Sequence, residues 1–127
     1  MRSVQIRVDV GKYKYVTLPV DDALELVRAI SESIGGEVED IREACRILEN
    51  FDVFYETSRR KFRDYLVIPH TPSDMIRGKV VIDKLKLFKD GEAKMATIVF
   101  DRRVDENLLL DSLRKIGYSV GVVHESL

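Results

Sequence analysis

The stretch that most constrains the fold runs from Lys79 to Glu125, because it carries a local signal at every joint. Val80 to Phe88 and Met95 to Phe100 are β-branched and aromatic runs separated by Lys89-Asp90-Gly91-Glu92. Asp-Gly at the two central positions suits a type I′ hairpin turn, in which both residues need positive φ. After the second strand, Asp105 is placed to cap a helix, with Val104 and Leu109 at hydrophobic-staple spacing. Gly117 supplies the stop, since glycine takes the left-handed position past a helix at little cost. Tyr118, Val120 and Val122 then alternate with Ser119, Gly121 and Val123 as a final strand. A strand-helix-strand unit of this length places its two strands parallel through a right-handed crossover.

The rest of the chain supplies the partners for that unit. Val4, Ile6, Val8 and Val10 alternate with polar residues, and Gly11-Lys12 fits a two-residue II′ loop leading to a second strand, Tyr13 to Leu18. Pro19 disfavours further ladder pairing, and Asp21 or Asp22 can cap a helix beginning there. Leu24, Val27, Ile30 and Ile34 mark that helix over about 22–34, stopped by Gly35-Gly36. Val38, Ile41, Cys45 and Leu48 mark a second helical face, on which Cys45 reads as a small core hydrophobe. Phe51, Tyr55, Ser58, Phe62, Tyr65 and Leu66 continue a helical stripe, as a third helix or an extension of the second, with a short strand near Asp52 as an alternative. Pro69 ends it by restricting Ile68, and Thr71-Pro72-Ser73-Asp74 has the form of a capping box.

The expected order is β-β-α-α-(α)-β-β-α-β within one domain, residues 1–127. That is an α+β fold, a ferredoxin-like or related sandwich, with a mixed sheet and helices mainly on one face. The run Lys79 to His124, with its hairpin, a strand ending in Phe100-Asp101 and a helix ending in Ile116-Gly117-Tyr118, resembles the second half of heavy-metal-associated domains. Those domains bind metal through Cys-x-x-Cys before their first helix. Here the equivalent place reads Leu18-Pro19-Val20-Asp21-Asp22, so the resemblance carries the topology and not the metal site. A strict ferredoxin order also competes with the N-terminal hairpin for the sides of the second strand.

No apolar run approaches the roughly 18 residues of a membrane span, and the N-terminus alternates charged and apolar residues instead of presenting a signal-peptide core. The expected compartment is the cytoplasm. One cysteine forms no internal disulfide and no thiolate cluster. Few amides, no tryptophan and many charged residues form a combination favoured by thermophilic proteins.

Charge is segregated along the chain. Asp21 to Glu56 holds eleven acids and three arginines, whereas Arg59 to Lys89 holds nine bases and three acids. The basic segment, with Arg59, Arg60, Lys61, Arg63, Arg77, Lys84 and Lys86, is the candidate site for DNA or RNA. If Leu85 and Leu87 point inward, Lys84 and Lys86 share the other sheet face. A solvated face, or compensation for the acidic helices, is the competing reading, and Tyr55, Phe62 and Tyr65 fit the core better than a stacking role. A pI near 6.1 argues against broad nonspecific nucleic-acid affinity.

His70 with Asp74 offers an acid–base or two-ligand pair, although a loop histidine beside a capping acid is commonplace. Asp21-Asp22 and the group Glu37, Glu39, Asp40 and Glu43 invite a glycosidase or magnesium reading, but helix N-termini favour acids anyway. No Gly-rich phosphate loop is present. Helices followed by a basic hairpin also match a winged-helix order, with 51–66 as recognition helix. The expectation is a non-catalytic binding module without cofactor or metal, contacting nucleic acid. Protein–protein assembly as a homo-oligomer, such as a dimer, is the first alternative, and a small-ligand or metal sensor the second.

Overall fold

The computed structural model describes residues 2–35, 38–61, 65–70, 72 and 80–125. Their elements are β1 (Arg2–Val8), β2 (Lys14–Pro19), α1 (Val20–Ile34), α2 (Glu39–Glu49), α3 (Phe51–Arg60), β3 (Leu66–Val67), β4 (Ile82–Asp90), β5 (Ala93–Phe100), α4 (Glu106–Lys115) and β6 (Tyr118–His124). The six strands form one mixed sheet in the order β3-β4-β5-β2-β1-β6. Only β1 and β6 pair in parallel. The competition for β2 is thereby resolved. A strict ferredoxin order would set the last strand against β2; here β1 lies between them, pairing with β2 on one side and β6 on the other.

Strand alternation decides which face is buried. Ile6, Val16, Leu18, Leu85, Ala96, Ile98 and Phe100 are at most 1% exposed and point towards the helix layer. Against them pack Ala23, Leu26, Val27 and Ile30 of α1, Ile41, Ala44 and Leu48 of α2, and Leu109 and Leu113 of α4. β5 and β6 run in the same direction, as the crossover rule requires, with β2 and β1 between them. Among the described residues no helix is long and apolar enough to cross a membrane.

Several local expectations change. The first loop is not a Gly-first two-residue turn: Lys12, at φ 71°, takes the left-handed position, while the Asp9 side chain accepts from Tyr13 N at 3.0 Å and Lys12 N donates to Asp9 O. In the second hairpin Asp90 still pairs with Ala93, so Gly91-Glu92 forms the loop, and only Gly91 has positive φ (61°). Pro19 rather than an aspartate stands at the N-cap of α1, leaving Asp21 and Asp22 in the first turn. The segment 39–60 is two helices, broken at Asn50 (φ −115°, ψ 44°), whose side-chain amide donates to Arg46 O at 2.8 Å. Helix α3 ends at Arg60, so Tyr65 and Leu66 leave the expected helical stripe, and Leu66 enters β3. The hairpin of β4 and β5 is no wing, because β5 pairs along β2 from Lys14 to Pro19. As expected, Asp105 caps α4 through Asn107 N at 2.9 Å, and Gly117 follows it with φ 97°. The Thr71–Asp74 capping box lies outside the described residues.

A polar clamp joins β1, α1 and β6. The Arg2 guanidinium lies 2.8 Å from Asp22, donates to Ile116 O at 2.7 Å and covers the Tyr118 ring at 4.5 Å. Tyr118 Oη donates to the same Asp22 carboxylate at 2.5 Å. Burial, then that hydrogen bond, push the Tyr118 phenol up to about 12. Its folded pKa exceeds the ordinary value near 10, so the linked stability is complete below pH ~10 and is lost as pH rises towards 12. Urea unfolding between pH 9 and 12 is expected to show this loss, and Tyr118→Phe to flatten it. An unchanged slope in the variant would assign the loss elsewhere.

Candidate functional site

The sheet face opposite the helices is uncovered by the described elements. One rung crosses all six strands there: Val123, Arg7, Tyr15, Val99, Lys84 and Val67 are successive cross-strand partners. The neighbouring positions hold Thr17, Thr97 and Lys86, which also pair across strands, with Thr17 Oγ1 and Thr97 Oγ1 2.8 Å apart. Leu85 and Leu87 point inward, at 0% and 6% exposure, so Lys84 and Lys86 do share this face. Thr97 and Val99 are buried even on this uncovered side, where long neighbouring side chains lie across small ones.

Tyr65 belongs to this face and not to the helical core. Lys84 Nζ lies 4.6 Å and Lys86 Nζ 5.8 Å from its ring centroid, within cation–π range. Tyr15 Oη donates to the Glu125 carboxylate, and that bond, with burial adding to it, holds the phenol above its ordinary value. Arg7 stands 3.7 Å from the same carboxylate. A depression of about 270 Å³ lies between Tyr13, Tyr15, Tyr65, Asp83 and Lys84. Beside it, a trough of about 590 Å³ is lined by the short side chains of Ser3, Thr17 and Ser119, by the backbone of Gly121, and by Gln5, Arg7 and Tyr15. The face thus combines aromatic rings, three cations, the carboxylates of Asp83 and Glu125, and a shallow polar floor.

The anticipated basic residues are divided between two places. Lys84 and Lys86 are on the open face. Arg59, Arg60 and Lys61 are exposed at the C-terminal end of α3, which packs against β4 from the helix side. Arg59 is 3.8 Å from Glu56 and covers the Tyr55 ring, whereas Arg60 and Lys61 have no ion-pair partner among the described residues. Arg63 and Arg77 lie outside the described residues. Tyr55 is half-buried and stacked on Phe51 at 5.4 Å, a core role as expected; Phe62 is not described. The acidic helices draw much of their compensation from nearby arginines, through the pairs Glu39–Arg42, Glu43–Arg46 and Glu49–Arg28.

Arg7, Tyr15 and Tyr65 were not among the anticipated site residues. The signal for Arg7 and Tyr15 was present in the polar positions of the alternating first hairpin, Ser3, Gln5, Arg7, Tyr15 and Thr17.

A second polar cluster surrounds His70, and its carboxylate is Asp40; Asp74 lies outside the described residues. Asp40 Oδ2 accepts from Val81 N at 2.6 Å and Ile82 N at 2.9 Å, and His70 Nε2 is 3.3 Å away. Nε2 also lies 2.9 Å from Ile82 O. A carbonyl only accepts, so Nε2 carries the proton. With side-chain exposures of 1% and 14% for Asp40 and His70, the pair pins the first turn of α2 to the start of β4. Asp40 is therefore not a solvent-facing helix acid. Asp22 is committed to the Arg2–Tyr118 clamp. Among the described residues no three His, Cys, Asp or Glu side chains converge as a metal-binding group. Cys45 is half-buried at the seam of α1 and α2, where burial pushes its thiol up. His124 is exposed, 3.9 Å from Glu106.

Comparison with protein families, curated proteins and solved structures finds no match.

Proposed function

We propose that this chain is a non-catalytic module that binds single-stranded nucleic acid across its open sheet face. The observation that carries the reading is the six-strand rung with Arg7, Tyr15 and Lys84 on its uncovered side, flanked by Tyr65 and Lys86. Tyr15 and Tyr65 offer faces on which unpaired bases stack, at about 1–3 kcal/mol per base. Arg7, Lys84 and Lys86 stand within the same surface to meet phosphates. Only 62–64 intervene between Lys61 and Tyr65, which limits their Cα separation to about 14 Å. A strand leaving the sheet past β3 therefore comes within reach of Arg59, Arg60 and Lys61 at the end of α3. The fold that supports this reading is an expanded ferredoxin-like sandwich, in which β1 is inserted beside the first strand of the βαββαβ order. Net charge of −1 suits a local patch rather than a uniformly basic surface.

Fluorescence anisotropy with labelled 12-nucleotide single strands and the matching duplex tests this. The single strand is expected to bind more tightly than the duplex, and to lose roughly twentyfold in affinity between about 50 and 200 mM salt, as about three phosphate contacts require. Lys84→Glu with Lys86→Glu is expected to abolish binding, and Tyr15→Ala to weaken it roughly tenfold. Arg59→Ala with Arg60→Ala is expected to have a smaller effect. No saturable binding at 50 mM salt, or full binding by the double lysine variant, overturns the proposal.

A further inference from the structure

We infer that β6 is a self-association edge, joining two copies of this chain into one continuous sheet about a two-fold axis through Gly121. One side of β6 is paired to β1 along seven residues, and nothing among the described residues pairs with its other side. The opposite sheet edge, β3, is only two residues long and is followed two residues later by Pro69. β6 carries none of the usual guards against edge pairing: its sequence, Tyr-Ser-Val-Gly-Val-Val-His, has no lysine, no proline and no bulge in its register with β1.

The direction of its free amides follows from one bond. Glu125 N donates to Val8 O at 2.8 Å, so the amide of Glu125 points to β1. Alternation along the strand then turns the backbone groups of Val120 and Val122 outward. Antiparallel pairing sets Val120 opposite the partner's Val122, and Val122 opposite the partner's Val120, with the two copies of Gly121 facing at the axis. That central pair is not hydrogen-bonded and brings Cα atoms to about 4.5 Å, where the absence of a side chain leaves room.

Charge on α4 selects a second copy as the occupant. The two-fold axis of an antiparallel strand pair is normal to the sheet, so both helix layers stay on one side and α4 runs antiparallel to its mate. Helix α4 is acidic at its start, through Asp105 and Glu106, and basic at its end, through Arg114 and Lys115. Glu106 is on the β6 side, 3.9 Å from His124. Leu110 and Arg114 follow it at four-residue intervals on the same helical stripe. The mating therefore sets Glu106 beside the partner's Arg114, Leu110 beside the partner's Leu110, and Arg114 beside the partner's Glu106. This is an isologous, closed contact, as two-fold assembly requires.

Sedimentation equilibrium on the full chain at 5–500 µM tests the inference, with Glu106→Arg, Arg114→Glu and the double variant. The wild type is expected to be a monomer–dimer system. Each single reversal is expected to raise the dissociation constant roughly tenfold, and the double reversal to restore it. Gly121→Glu adds a backbone-centred check. In the single copy a Cβ at 121 meets only Gln5 Cγ at 3.9 Å, so the variant folds, whereas two glutamates meet at the axis. Its dimer is expected to be lost with its circular dichroism unchanged. A wild type monomeric at 500 µM, single reversals without effect, a double variant that stays monomeric, or a dimer that survives Gly121→Glu each overturn the inference.

Discussion

Replacing Asp40 by alanine is expected to destabilise the fold by about 3–5 kcal/mol, although the residue sits on the helix side of the sheet and, among the described residues, touches nothing on the open face. Its Oδ2 is the acceptor for two consecutive backbone amides, Val81 and Ile82, and sits 3.3 Å from His70 Nε2. The carboxylate is almost fully buried, so its removal takes away the protein acceptor of both amides at once. Two buried N–H groups are then orphaned at the point where the chain enters β4. Its place in the first turn of α2 adds the favourable end of that helix's dipole to what is lost. Asp40→Asn keeps one acceptor oxygen and is expected to lose only about 1–2 kcal/mol. Urea unfolding measures both losses, and native-state hydrogen exchange should show the Val81 and Ile82 amides losing protection first in Asp40→Ala. A loss below about 0.5 kcal/mol would mean that the tie contributes nothing to the fold.

Phe100→Ala is expected to cost a similar amount, about 3–5 kcal/mol, for a different reason. Phe100 is fully buried at the end of β5, opposite Lys14 on β2 and Ile82 on β4, with its ring in the helix-facing core. Truncation removes its transfer free energy and leaves a cavity that the flanking strands cannot close. The midpoint of thermal unfolding should fall by on the order of 10–20 °C. Phe88, which pairs with Met95 on the open face and is only half-buried, makes the comparison decisive. Phe88→Ala is expected to cost less than about 1.5 kcal/mol, and the reverse ranking would mean that the two sheet faces had been assigned the wrong way round.

These two residues also mark how far the sequence alone could be read. Phe100 was legible because strand alternation and the Asp105 cap are local signals that agree with the final packing. Asp40 was not, because acids in a first helical turn ordinarily face water, and its burial depends on amides some forty positions away. The first loop misleads for a related reason. Glycine is the usual holder of a positive φ, but the Asp9 side chain organises that loop so that Lys12 adopts it. The helix break at Asn50 lacks the Gly or Pro that would have announced it, and two-residue β3 is too short to show a period. The outward positions of the first hairpin were readable one strand at a time. That Tyr15 stands in the same rung as Lys84 was not, since β5 supplies the link and register between distant strands has no local signature.

The insertion of β1 between β2 and β6 has a kinetic consequence. β1 pairs locally with β2 through a short loop, which costs little chain entropy, but its other side is matched only by residues from the far end of the chain. A hairpin formed early must therefore keep an unsatisfied row of amides from Arg2 to Val8 until α4 has docked and β6 has arrived. Closure of the β1–β6 ladder is expected to be a late event in refolding, and the interval before it is when the chain is most open to pairing with the wrong neighbour.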